Sequence, residues 1–139
     1  MKFLLIIIIL LGVSLSCKTQ NTLLENKEYS IVISESCKSF QDGGCLITTY
    51  NVLKFEKDSV SIEVYTKADC DSKERDQYYN QRSLLGKFPY QIHKKKGSAN
   101  HFIRINGYSF ALLEVFPDYL IELNPDHTTN SDHIFNLIR

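Results

Sequence analysis

The feature that most limits the fold of this chain is an alternation of apolar and polar residues that turn residues interrupt at short intervals. In residues 59–65, Val60, Ile62 and Val64 share one face of an extended strand, and polar side chains share the other. Residues 46–56, rich in Thr, Tyr, Val and Leu, precede this strand across the polar pair Lys57-Asp58, which is typical of a tight hairpin turn. Much of the chain is therefore predicted to be antiparallel β structure.

Further strands are predicted at residues 28–35, 90–95, 101–105, 108–112, 119–123 and 133–138. Asn106-Gly107 lies between two of them, and this dipeptide is the strongest short signal for a two-residue hairpin. A short terminal helix capped by Ser131 or Asp132 is the alternative for the last segment. About eight strands joined in sequence order by short turns predict an all-β fold, an antiparallel meander that forms a small closed or nearly closed barrel.

One segment, from Asp71 to Leu85, interrupts this pattern and is predicted to be a short helix or a long loop. Asp71, followed three residues later by Glu74, resembles a capping box, and Gly86 stands where a C′ glycine would end a helix. The run at 72–76 is polar, so most of the segment is predicted to be solvated.

The first sixteen residues are predicted to be a signal peptide. Lys2 precedes an unbroken apolar run over residues 3–11, and small residues follow over 12–16. A secretory signal peptide has this order of regions, and the apolar run is too short to span a bilayer. The protein is therefore expected to leave the cytoplasm.

Charge is nearly balanced, with 16 basic and 16 acidic residues in the whole chain. This balance gives no electrostatic footprint for nucleic acid, so a nucleic-acid partner is not expected. His93 with Lys94-Lys95-Lys96 forms a local basic patch. The patch is predicted to be a charged hairpin tip that keeps a sheet edge soluble, and contact with lipid headgroups or an acidic partner is the alternative.

The segment Ser14-Leu15-Ser16-Cys17 resembles the lipobox of bacterial lipoproteins, in which a small residue precedes an acylated cysteine. The resemblance implies that Cys17 is acylated and becomes the mature N-terminus. It also implies a lipid anchor that holds the protein at a membrane of the cell envelope. The alternative is an ordinary signal peptide that is cut at the Ser14-x-Ser16 site without lipidation.

Four cysteines bear on the covalent structure. Acylation of Cys17 would leave Cys37, Cys45 and Cys70 in an oxidising compartment, where one disulfide and one free thiol are expected. The favoured pairing is Cys37 with Cys45, because residues 39–44 between them have a composition that lets the chain double back. Pairing of Cys70 with either of them is the alternative.

The dipeptides Asp126-His127 and Asp132-His133 place two imidazoles and two carboxylates close together in sequence. Metal sites need three or four converging ligands, so this segment is predicted to be a solvated loop, and neither a metal nor another cofactor is expected. The chain also lacks a Gly-x-Ser-x-Gly motif. The protein is therefore predicted not to be an enzyme.

The strand order and hairpin spacing over residues 28–123 resemble those of small lipocalin-like lipoproteins, in which a meander barrel follows a lipid tether. The chain is accordingly divided into a signal peptide (1–16), a polar tether (17–27) and one β domain (28–139). We expect a noncatalytic envelope protein that binds a protein or a small apolar ligand. The alternative is a periplasmic inhibitor or immunity-type protein that blocks an enzyme with an exposed loop at residues 36–44 or 69–87.

Overall fold

A computed structural model describes residues 23–109 and 112–139, which form a closed antiparallel barrel. These ranges contain eight strands and one α-helix: β1 (Glu28–Phe40), β2 (Gly43–Phe55), β3 (Ser59–Cys70), α1 (Lys73–Tyr79), β4 (Gln81–Lys94), β5 (His101–Ile105), β6 (Leu113–Val115), β7 (Tyr119–Leu123) and β8 (Thr129–Leu137). Each strand pairs with its neighbours in sequence, and β8 returns to β1. The predicted all-β meander barrel is therefore confirmed.

Strands β1 and β8 close the barrel over a short stretch. Tyr29 lies opposite Leu137 and Ser30 opposite Asn136, which are the β1–β8 pairs in the described residues. Glu28 adds to this seam, because its backbone N–H donates to Arg139 O at 2.9 Å and its carboxylate accepts from Arg139 Nη2 at 2.6 Å. The C-terminal segment is thus a strand, and the alternative of a terminal helix is wrong.

The barrel interior is filled by the inward-facing side chains of the alternating strands. Phe55 is almost completely buried, with edge-to-face contacts to Tyr29 at 5.9 Å and Tyr90 at 5.2 Å between ring centroids. The fully or nearly fully buried core comprises Leu24, Tyr29, Leu53, Phe55, Val60, Ile62, Tyr90, Ile92, Ile103, Ile105, Leu113, Val115, Leu120 and Phe135. Burial of this apolar surface is the main term that stabilises the fold.

The chain enters the barrel at one end, here called the entry end, which consists of residues 24–27, 56–58, 95–100 and 116–118. Leu24 is completely buried in the core, and the backbone N–H of Asn26 donates to Phe55 O at 3.0 Å. The predicted tether of residues 17–27 is therefore shorter than expected, because its last residues pack on the barrel. Cys17 and the predicted signal peptide lie outside the described residues.

The segment after β3 contains a helix shorter than the sequence predicts. Helix α1 spans seven residues, its N-cap is Ser72, and Asn80 ends it. The Asp71 carboxylate does not cap α1, because it accepts a hydrogen bond from Gly44 N instead. Gly86 does not end a helix; it lies within β4, where an added Cβ would meet the ring of Phe88.

The hairpin predicted around Asn106-Gly107 is wrong in its register. β5 and β6 pair with His101 opposite Val115 and Ile103 opposite Leu113, so the connection runs from 106 to 112 and is not a two-residue turn. Tyr108, predicted to begin a strand, packs instead against Phe88, with ring centroids 5.2 Å apart. The longer connection lets this aromatic contact form and directs Leu113, which is completely buried, into the core.

Candidate functional site

The first four strands extend well beyond the barrel and form an arm (residues 31–51 and 64–84). β1 pairs with β8 only at Tyr29 and Ser30, whereas it pairs with β2 along its whole length. β4 likewise pairs with β5 only from Tyr90 to Lys94. The unshared part of β1, Ile31 to Phe40, is about 30 Å long at the usual rise per residue. The arm is therefore a four-stranded extension of the barrel sheet at the end opposite the entry end.

The tip of the arm (residues 40–45 and 70–80) is fixed by hydrogen bonds between the sheet and the helical segment. Three backbone N–H groups donate to side chains of that segment: Gly44 to Asp71 at 2.7 Å, Cys70 to Asp76 at 2.7 Å, and Ala68 to Asn80 at 2.8 Å. Hydrogen bonds to charged acceptors are stronger than neutral ones. These contacts hold helix α1 against the inner face of the arm.

Charged and aromatic side chains add a second set of contacts at the tip. Arg75 Nη2 donates to the Asp42 carboxylate at 2.5 Å, and its guanidinium lies 4.2 Å from the centre of the Phe40 ring. Hydrogen bonding to Arg75 lowers the pKa of the Asp42 carboxyl below its usual value. Lys38 Nζ lies 4.6 Å from the centre of the Tyr79 ring. The β1–β2 turn and α1 are thus joined directly.

A disulfide between Cys45 and Cys70 braces the arm. The two residues are directly opposite on β2 and β3, with Cα atoms 4.0 Å apart. The favoured pairing of Cys37 with Cys45 is wrong, and Cys37 is an exposed free thiol. Cys37 lies opposite Leu46, and successive residues of a strand point to opposite faces, so Cys37 and Cys45 are on different faces of the sheet.

The disulfide belongs to a small second core on the inner face of the arm. Cys45, Ile47 and Ala68 are buried there, and Tyr79 from α1 packs against them. This core is separate from that of the barrel. The arm therefore has its own packing in addition to its covalent and hydrogen-bonded supports.

The outer face of the arm carries apolar side chains that nothing in the described residues covers. Val32, Leu46 and Leu84 are 48%, 45% and 63% exposed. Tyr50 and Tyr65 stack between them, with ring centroids 6.1 Å apart. A shallow cleft of about 360 Å³ is lined in part by Leu46 and Tyr50. Exposed apolar clusters of this kind on the surface of a folded domain are typical of interaction sites.

The sequence predicts the two loops at the tip but not the contacts that join them. Residues 71–80 are largely solvated, as predicted, and no residue of α1 is buried, but Asp71, Asp76 and Asn80 also hold this segment on the sheet. A signal was present, since Asp and Asn side chains favour hydrogen bonds to nearby backbone N–H groups at helix ends and turns. The partners, however, come from β2 and β3, and their identity depends on the strand register.

The histidines near the C-terminus are separated. His133 on β8 contacts the carboxylate of Glu122 on β7, whereas His127 lies in the β7–β8 turn with a positive φ of 64°. Asp126, its neighbour, accepts hydrogen bonds from Thr128. Among residues 23–109 and 112–139 no group of three or more His, Cys, Asp or Glu side chains is arranged to hold a metal ion.

The basic patch at His93 and Lys94–Lys96 lies near the entry end, on the opposite side of the molecule from the tip of the arm. In the part of the chain that the structure describes, no helix is long and apolar enough to cross a membrane. A comparison of the chain with protein-family models, with curated proteins and with solved structures finds no match.

Proposed function

We propose that this protein is a noncatalytic, lipid-anchored protein of the cell envelope that binds a protein partner through its arm. The observation that carries the proposal is the convergence of two loops on one braced tip: the β1–β2 turn with its flanking residues (40–45), and residues 71–80 between β3 and β4. The expected loop at residues 36–44 is thus mostly strand, because residues 36–40 and 43–44 pair with each other and with their neighbours in β1 and β2. Contacts between Arg75 and Asp42 and between Gly44 and Asp71 join these loops directly. The filled interior of the barrel favours a partner on the outside over a ligand in the lumen.

The rigidity of the tip supports a binding role on energetic grounds. Ordering a flexible loop on binding costs about 0.5–1.5 kcal/mol for each immobilised side chain. In this protein the disulfide and the hydrogen bonds to Asp71 and Asp76 fix the tip before a partner arrives. Less binding free energy is then lost to ordering, as in complexes whose interfaces move little on binding.

The outer face of the arm supplies the apolar surface that such an interface needs. Leu46 and Leu84 project from it, and Tyr78, 70% exposed, adds an aromatic side chain on α1 at the tip. Tyrosine and other large apolar side chains often carry most of the binding energy at protein interfaces. The tip and this face together are therefore the proposed binding surface.

The position of the entry end agrees with a lipid anchor at Cys17. Leu24 is buried at the entry end, and the arm leaves the barrel at the opposite end. Seven residues from Cys17 to Leu23 span at most about 25 Å when extended. An acyl group at Cys17 would therefore hold the entry end close to the membrane and direct the arm away from it.

Site-specific photo-crosslinking in the native envelope tests the binding surface. A photoreactive residue at Leu46 is expected to capture one discrete protein, and the same residue at Ile138, which is exposed near the entry end, serves as the control. The variant Leu46→Lys/Leu84→Lys is expected to bind the purified partner at least about tenfold more weakly. Equal capture from both positions, or unchanged affinity in the double variant, would contradict the proposal.

Fractionation of cells that carry Cys17→Ser tests the anchor separately. The acylated protein is expected to remain with membranes through a wash at high ionic strength, whereas the variant is expected in the soluble fraction. Mass spectrometry of the native N-terminus should show an acylated cysteine at position 17. An unmodified native N-terminus would exclude the lipid anchor, and so would a variant that resists the wash after its signal peptide has been removed.

An inhibitor or immunity-type protein is the second candidate. The exposed, preorganised tip favours it, because a rigid loop loses little entropy when it binds an enzyme. If the captured partner is an enzyme, adding the purified protein should abolish its activity. Arg75→Ala, which removes the contact with Asp42, should weaken the inhibition. If the activity of the partner enzyme is unchanged when it is saturated with this protein, the protein binds the enzyme without inhibiting it, and the second candidate is excluded.

A further inference from the structure

A basic groove runs along the outside of the barrel, on β4, β5 and β6 and away from the arm. Its volume is about 640 Å³, within the range of ligand sites. The groove lies between the β4–β5 loop and the β7–β8 turn. Its lining includes His93, Lys94, Lys95, Lys96, Phe102 and Arg104.

The charged side chains that line the groove are mostly positive. Lys94–Lys96 and Arg104 are exposed, and in the described residues none of these four cations has a carboxylate oxygen within 4.0 Å. The carboxylate that lines the groove, Glu114, already accepts a hydrogen bond from Asn100 Nδ2 at 2.9 Å. Because the whole chain has a formal net charge of 0, this is a local concentration of positive charge that favours an anion.

The groove also has an apolar component. Phe102, Leu112 and Leu123 line it together with the cations. Phe102 alternates with the inward-facing Ile103, so its ring lies on the outer surface of the sheet. A ligand that is anionic at one end and apolar at the other fits this combination better than a free inorganic ion does.

The location of the groove indicates where such a ligand would come from. The backbone O of Glu56, in the β2–β3 turn, accepts from the Tyr90 hydroxyl at 2.9 Å, which places this part of β4 at the entry end. β5, whose outer face forms the groove, has five residues and is about 17 Å long. The groove therefore begins at the entry end, where Lys95 and Lys96 lie, and runs along β5 toward the β7–β8 turn.

We propose that the basic groove binds the headgroups of anionic phospholipids at the membrane surface. The phosphate would lie among Lys94–Lys96 and Arg104, and the upper part of an acyl chain would lie on Phe102. Lysine and arginine side chains near an anionic surface each contribute to membrane attachment. A basic patch is also the kind of second signal that complements a single lipid chain. The proposal relies on the proposed anchor only for the direction in which the groove faces.

Vesicle sedimentation tests this site without an acyl group. The exported Cys17→Ser chain is mixed with vesicles of phosphatidylcholine, alone or with phosphatidylglycerol. Binding is expected only to the vesicles that contain phosphatidylglycerol, and it should weaken as salt is added. Soluble glycerol phosphate and an acidic peptide serve as competitors, and neither is expected to displace the protein from the vesicles.

A matched pair of double variants locates the site. Lys95→Gln/Lys96→Gln is expected to bind the anionic vesicles about 30-fold more weakly, since each lysine contributes a factor of about five. Lys67→Gln/Lys73→Gln removes the same charge from exposed positions on the arm and should leave binding unchanged. The proposal is overturned by absence of binding, by equal binding to neutral vesicles, by equal loss in the two variants, or by displacement with either competitor. Because this chain has no acyl group, these results are independent of the test of the anchor.

Discussion

Removal of the Cys45–Cys70 disulfide is expected to destabilise the protein by about 3.5 kcal/mol. The two cysteines are 25 residues apart in sequence, and cross-linking a chain over this length lowers the entropy of the unfolded state by a corresponding amount. The variant Cys45→Ala/Cys70→Ala avoids placing a hydroxyl in the buried second core, where Cys45 is 4% exposed. The loss is large, because a domain of this size has only about 5–15 kcal/mol of stability in total.

Urea denaturation measures this effect, and the free Cys37 provides a matched control. With a slope of about 1–3 kcal/mol/M, the double variant should unfold at a midpoint about 1.2–3.5 M lower. Cys37→Ala, at an exposed position, should stay within about 0.5 kcal/mol of the parent protein. Hydrogen exchange should be accelerated most in the arm, which the disulfide braces. If Cys37→Ala is as destabilising as the double variant, or if the double variant is as stable as the parent, the reasoning is refuted.

Two further predictions concern the barrel core. Burial, with the nearby carboxylates of Asp58 and Glu25, raises the pKa of the Tyr90 hydroxyl from 10.0 to about 12. The neutral hydroxyl is thus favoured in the folded state, and its contribution to the free energy of unfolding is complete below about pH 10 and is lost as the pH rises to about 12. Urea unfolding across this window should show a smaller pH-dependent loss for Tyr90→Phe than for the parent; an identical loss would contradict the assignment. Phe135→Ala removes a completely buried ring from β8 and should cost about 3–5 kcal/mol by thermal or urea unfolding, whereas a loss below that range would show that the seam is not well packed.

The outcome of the strand predictions illustrates what local pattern can establish. The alternation of Val60, Ile62 and Val64 marks β3 because only an extended strand places them on one face, and Val60 and Ile62 are indeed completely buried. The Asn106-Gly107 dipeptide, by contrast, predicted a hairpin that does not form. The turn preference of two residues is worth little compared with the burial of Leu113 and the packing of Tyr108 on Phe88.

The candidate site, like the strands, could be predicted from the sequence only in part. The sequence indicated both loops of the tip as exposed segments, because their polar composition does not suit a core. It did not indicate that Asp42 meets Arg75 or that Gly44 meets Asp71, since these contacts join residues 33 and 27 positions apart. Contacts of that kind exist only once β1, β2 and β3 are paired in a particular register.

A meander of antiparallel strands could be predicted from the amino-acid order, because the period of two in the apolar residues and the frequent turn residues suit few other folds. The cysteine pairing, the length of the first four strands beyond the barrel and the grouping of charges in one groove could not, since they depend on how the strands pair. A shift of one residue in strand register moves every side chain to the other face of the sheet. That register is set by the packing of all strands together, so Cys45 faces Cys70 and not Cys37.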